Sequence, residues 1–226
     1  MSGCRALSNE ELRRIFEREA RTWTEARNCG LLALGCTTGY RISELLSLSR
    51  RDVLTPDGRL RMKVRVAGKH MKSGKARTVP LSAELLGPFI RWLEVQQGAG
   101  GAGKDTPLFP SRKGGGERAL SRQGAWRSMK AVCLAAGVDE TEVGTHSMRK
   151  TLALQTYLYG LQLMRAGHQV DPMRLVQKVL GHADIRATEH YMKDILQSEV
   201  AEAFLAAGRA IASAWTGMAT AVAAAG

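Results

Sequence analysis

Three short motifs, far apart in the chain, carry side chains able to bind an anion and move protons. TTGYRISELLSL sets Arg41 at the start of a helical stretch, and THSMRK holds His146 and Arg149 three residues apart, hence on one face of a helix. VLGHADIRATEHYM puts His182 nine residues before Tyr191. Lys72 lies between the first and second motifs, in a polar link joining two short basic runs. A guanidinium stays charged and binds oxyanions through paired hydrogen bonds. A phenol becomes a nucleophile once its proton, with a reference pKa near ~10, is removed. The four cysteines (Cys4, Cys29, Cys36, Cys133) form no C-x-x-C and no metal-ligand grouping with the five histidines. No metal and no cofactor is expected.

The elements that must position these residues read as mainly helical. Ser8 and Glu11 form a capping box ahead of Leu12, Ile15, Phe16 and Ala20 at helical spacing. An apolar helical stretch through Leu31, Leu32, Leu34 and Cys36 stops at Gly39, and a short helix follows in RISELLSL. RLRMKVRV (59–66) alternates strictly, so Leu60, Met62, Val64 and Val66 are expected on one face and Arg59, Arg61, Lys63 and Arg65 on the other. ARTVPL is a second strand, which makes a hairpin. Helices are expected from Ser82 to about Gln97, from Ser121 to Ala136, and over 146–160, 173–180, 184–192 and 194–207. Asp171, Pro172 and Gly181 are the cap, first-turn proline and stop of the 173–180 helix. Gly98, Gly103 and Lys104 imitate a phosphate loop, but Asp105 replaces its Ser or Thr, and the run reads as a flexible linker.

Composition bounds the partner. The 226 residues carry 33 Lys+Arg against 21 Asp+Glu, a net charge of +12, with 44% apolar residues. That is a globular chain with ample core. Residues 41–130 hold nineteen basic and seven acidic side chains, while the two flanks nearly cancel. Basic charge gathered in one segment is expected of a surface that meets a polyanion, a nucleic acid above all; a solubilising surface ordinarily mixes its signs. The N-terminus has no apolar signal core, and the tail 210–226, rich in Ala, is too short to span a bilayer comfortably. Reduced cysteines in a cytoplasmic protein are the expectation.

In their order, Arg41, the turn lysine, H-x-x-R, L-G-H and Tyr191 closely resemble the catalytic domain of tyrosine site-specific recombinases, the phage integrase and Xer family, over roughly residues 7–205. The resemblance implies an α+β, mainly α-helical fold with a small antiparallel β-sheet carrying the lysine turn. It implies cleavage of DNA by a tyrosine oxygen, giving a 3′-phosphotyrosyl link and a free 5′-hydroxyl, then rejoining. Arg41 and Arg149 match the two arginines that hold the scissile phosphate, and His146 matches the histidine of proton transfer at the nucleophile. Lys72, eight residues before Pro80, matches the lysine that protonates the leaving oxygen; Lys75 in the same turn is the alternative. His182 matches a hydrogen-bond donor to the phosphate, Tyr191 the nucleophile, and Glu44 an orienting group.

Arg59, Arg61, Lys63, Arg65 and Lys75 are candidates for the flanking DNA backbone. Arg122, Gln123 and Arg127 are candidates to enter a groove, the alternative being a solvated helix face. Partners implied are double-stranded DNA and a homotetramer assembled on it, from a protein that is monomeric when free and lies with the nucleoid in the cytoplasm. Members of the family carry a DNA-clamping domain ahead of the catalytic one. Met1 stands a few residues before the first helix, so the expected organisation is a catalytic domain over 1–207 without that clamp, and an Ala-rich tail over 208–226. YGLQLMRAGHQVD lengthens the interval between Arg149 and His182, with His168 read as a loop residue. Tyr40, Tyr157 and Tyr159 read as packing residues. Rival functions are type IB topoisomerase-like relaxation of DNA and non-catalytic DNA-binding regulation.

Overall fold

The computed structural model describes residues 4–71, 74–81, 86–98, 103–113, 116–193, 195 and 196. Lys72, Ser82, the helix expected over 194–207 (apart from 195 and 196) and the tail 208–226 lie outside the described residues.

The chain orders itself around one buried helix. α1 (Asn9–Glu17) starts on the capping box, with Ser8 Oγ accepting from the Glu11 amide at 3.2 Å and Glu11 accepting from the Ser8 amide at 2.8 Å. α2 (Trp23–Thr38) follows and is enclosed on most sides, with Leu31, Leu32 and Leu34 fully buried. Two glycines let neighbours approach its backbone. A Cβ on Gly30 would stand 2.6 Å from Trp92 Cβ, and one on Gly35 would run into Met148. Trp92 belongs to α5 (Gly87–Gly98) and Met148 to α7 (Thr145–Arg165), so these two glycines dock both helices against α2.

α3 (Ile42–Leu45) and α4 (Arg50–Val53) lead to a two-stranded antiparallel sheet of β1 (Lys63–Val66) and β2 (Arg77–Pro80), with Val64 opposite Val79 and Val66 opposite Arg77. α6 (Arg122–Ala135), capped by Ser121, packs on α2 and α7. α8 (Pro172–Leu180) is capped by Asp171, and α9 (Ile185–Lys193) packs back on α7 and α8. Leu108, Phe89, Trp92 and Phe109 fill the main core around α2. A second cluster under α7, α8 and α9 holds Ala153, Val176, Leu180 and Met192.

The mainly helical class with one hairpin stands as expected, and several details do not: among them, the helix expected from Ser82 is observed as α5 from Gly87, with Leu86 outside it. The alternation of 59–66 breaks before the strand: Leu60 bridges to Leu54, and Met62 is 78% exposed instead of lying under the sheet. The Lys63–Pro80 pair opens β1, and the one bond beyond it, from the Leu81 amide to the Met62 carbonyl (2.8 Å), leaves the Met62 side chain at the end of the hairpin, outside the core that covers Val64 and Val66. The residues after 160 continue α7 to Arg165, and Gly160 lets the helix pass close to Pro172. Tyr159, near the end of the expected helix, is 56% exposed instead of packed, whereas Tyr40 is fully buried and Tyr157 packs on the second cluster. α4 was not foreseen.

Candidate active site

Two helix C-termini and one short helix create the site. α2 stops at Gly39 (φ 61°) and α8 at Gly181 (φ 67°), both left-handed conformations that glycine adopts at no steric cost. The last carbonyls of each helix lack intrahelical partners and carry the negative end of the helix dipole. Arg149, on the second turn of α7, donates to the Gly39 carbonyl at one terminus and to the Leu180 carbonyl at the other, the latter at 2.7 Å. Its guanidinium is almost wholly buried, and burial together with the charges of Arg41 and Arg77 lowers its pKa to about 10. It remains cationic at neutral pH. The helix ends supply the compensation that a buried charge requires.

Arg41 stands at the start of α3. Glu44, fully buried, accepts from the Arg41 amide at 2.8 Å and from its guanidinium at 3.1 Å. The carboxylate therefore orients Arg41 and leaves its side chain about one-third exposed.

His146 sits on the first turn of α7, where burial and the charges of Arg149, Arg41, Lys150 and Arg122 hold its imidazole below the ordinary value. His182 follows Gly181 directly, and its Nδ1 lies 3.0 Å from Thr188 Oγ1. Burial, then Arg149, Arg41 and Arg77, bring its pKa down to about 4, so the ring is neutral at pH 7. Tyr191, on α9, meets the His182 ring edge-on at 5.8 Å between centroids. The Lys150 ammonium lies 5.9 Å from the centre of the same phenol ring. The Tyr191 hydroxyl is buried without a hydrogen-bond partner among the described residues. Burial raises its pKa above the ordinary phenol value, against the opposing influence of Arg149 and Arg41.

Arg41, His146, Arg149, His182 and Tyr191 thus act electrostatically on one locality, though they come from α3, α7, the α8–α9 turn and α9. Lys63 and Arg65 stand on the exposed side of β1, and Lys75 is exposed just before β2. Arg59 is exposed and pairs with Asp57 at 3.1 Å, while Arg61 turns its Nε to the carbonyls of Arg51 and Leu54. Arg122, Gln123 and Arg127 are exposed on the first turns of α6. His168 is an exposed loop residue. The described residues hold no group of three or more His, Cys, Asp or Glu able to take a metal ion.

The residue missed by sequence reasoning is Arg77, which read only as a strand residue. Its guanidinium donates to the carbonyls of Thr38 (2.9 Å) and Val179, with the Gly39 carbonyl at 3.5 Å. It also lies 5.0 Å over the Tyr40 ring. The available signal was an arginine opening a short strand, RTVP, that ends in Val79 and Pro80.

Residues 5–197 match the phage integrase family model, and the chain belongs to that family. Tyrosine recombinase XerD of Vibrio cholerae serotype O1 is 32% identical over 172 residues, covering 74% of this chain and 49% of the relative. XerD of Oceanobacillus iheyensis is 30% identical over 201 residues, covering 85% of this chain and 61% of the relative. The chain thus spans about half to three-fifths of the length of these relatives. Among solved structures, XerA recombinase superposes with a TM-score of 0.61 at 23% identity, covering 90% of this chain and 65% of that one. XerH bound to its difH substrate before cleavage gives 0.59 at 22% identity, covering 88% and 53%. These likenesses carry the fold.

Proposed function

We propose that this chain is the catalytic part of a site-specific DNA recombinase that cuts and rejoins double-stranded DNA through a 3′-phosphotyrosyl intermediate. The observation that carries the reading is the convergence of Arg41, Arg149, His182 and an unpartnered Tyr191 hydroxyl. Tyr191 Oη attacks the scissile phosphorus, a P–O(Tyr) bond forms, and the bond from phosphorus to the 5′-oxygen breaks. The phenol proton passes to His146, and the leaving 5′-oxygen takes a proton from Lys72. Arg41 and Arg149 meet the charge that builds on the non-bridging oxygens, the largest expected contribution to the rate. Neutral His182 donates a further hydrogen bond to the same phosphate.

The phosphodiester is conserved as a tyrosyl ester, so rejoining by the 5′-hydroxyl needs no external energy. Recombination further calls for four protomers acting on two duplexes. Membership of the integrase family and likeness to XerD, XerH and XerA support recombination over simple relaxation. Incubation with plasmids carrying one or two cognate sites tests this. Exchange between two sites is the expected product; relaxation of a one-site plasmid without exchange contradicts it.

A further inference from the structure

Arg149 and Arg77 close the same pair of helix ends. Arg149 takes the carbonyls of Gly39 and Leu180; Arg77 takes those of Thr38 and Val179, each one residue earlier, and approaches Gly39 as well. Arg77 is also tied to the hairpin and to the chain leading into Arg41. Its own carbonyl accepts from the Tyr40 hydroxyl at 2.8 Å, and Tyr40 immediately precedes Arg41. One side chain therefore joins β2 to the end of α2 and the end of α8, the two helix ends that hold the Arg149 guanidinium.

We propose that Arg77 is a positioning residue, which fixes the separation of the α2 and α8 termini and thereby seats Arg149 for the scissile phosphate. The proposal rests on Arg149 being a phosphate ligand. Without Arg77, the Thr38 and Val179 carbonyls lose their donor and the two termini repel through like dipole ends. The single Arg149 fork cannot hold both at one spacing. A planar guanidinium spans acceptors on two elements, which an ammonium does not, so lysine at position 77 retains the charge and loses the clasp.

The test is single-turnover cleavage of a nicked duplex, compared with the same duplex carrying a methylphosphonate at the scissile position. There an uncharged methyl replaces one non-bridging oxygen, and the demand for a cation falls. Arg149→Ala is expected to be slow on the phosphodiester and relieved on the methylphosphonate. Arg77→Met and Arg77→Lys are expected to lose about 10- to 100-fold in rate, to bind the duplex within about twofold of wild type, and to be relieved by the diastereomer that relieves Arg149→Ala. Val79→Ala, a truncation of a partly buried side chain that packs on the core from the same strand, controls for lost stability and is expected to show no relief.

Wild-type rates in both Arg77 variants, or a defect of equal size on both substrates, overturn the proposal. So does a near-normal Arg77→Lys beside a slow Arg77→Met, since charge alone would then account for the effect. If Arg77→Met does not fold, Arg77→Lys carries the comparison by itself. If Arg149→Ala shows no relief, its reading as the phosphate ligand fails, and the positioning role falls with it.

Discussion

The Tyr191 ring abuts the His182 imidazole edge-on at 5.8 Å, while the Tyr191 hydroxyl is buried without a hydrogen bond. An unpartnered buried hydroxyl costs about 1–3 kcal/mol, an expense that fits the role proposed for Tyr191 as the attacking group. His182 is committed to Thr188 through Nδ1. That bond orients the ring and leaves its other nitrogen for the phosphate contact proposed for it. Burial keeps the phenol protonated in the resting site.

His182 gives the fold a pH dependence of definite sign. Its folded pKa of about 4 lies below its ordinary 6.5, so the unfolded chain binds the proton more readily. Stability from this group is complete above about 6.5 and is lost as pH falls through the window down to about 4. His146 is shifted in the same direction. Thermal melts at pH 7 and pH 4.5 should show a smaller drop for His182→Gln than for wild type. An equal drop in both proteins would show that His182 does not carry the effect.

Glu44 accepts from both the backbone and the guanidinium of Arg41. Glu44→Gln leaves the guanidinium without its anion and should lower unfolding stability in urea by about 1–3 kcal/mol, discounted for the one-third exposure of Arg41. Single-turnover cleavage should fall together with stability. A variant as stable and as active as wild type would remove Glu44 from its orienting role.

Much of this site was legible because its parts sit at helix boundaries with strong local signals. Gly39 and Gly181 mark the helix ends that deliver Arg149 its carbonyls and start the turn to His182, and Asp171 with Pro172 marks where α8 begins. The Ser8–Glu11 box and the 63–66 alternation were equally plain. Arg77 was not legible, because its importance lies in carbonyls of residues 38, 39 and 179, which only the packing brings together. Met62 and Tyr159 misled for a related reason. Periodicity tells which side chains share a face, and it does not tell which of them the core covers.

The close docking at Gly30 should be intolerant of a single methyl group. Gly30→Ala brings Cβ within 2.6 Å of Trp92 Cβ, near the branch of a rigid side chain. Helix propensity favours alanine by about 1 kcal/mol, and overpacking costs about 1–3 kcal/mol. A net loss of melting temperature is expected. Gly137→Ala, where a Cβ meets nothing but φ is +64°, should lose stability through backbone strain alone. A Gly30→Ala variant that melts higher than wild type would contradict the α2–α5 packing.

The exposed cations divide by the kind of DNA contact expected of them. Lys63→Ala and Arg65→Ala, on the open side of β1, should weaken binding evenly across sequences and each reduce the slope of log affinity against log salt by about 0.9. Arg122→Ala, on the first turn of α6, should instead alter preference among sequences. Fluorescence-anisotropy titrations at several salt concentrations, on cognate and scrambled duplexes, separate the two. A sequence-dependent effect of Arg65→Ala would reverse its assignment.

The account stands most directly on Tyr191 as the attacking group. A nicked suicide duplex of cognate sequence, from which the cleaved end diffuses away, should leave a denaturant-resistant protein–DNA adduct with the wild-type chain. The adduct should vanish in Tyr191→Phe and persist in Tyr157→Phe. An adduct that survives Tyr191→Phe, or none on any cognate duplex, would contradict it.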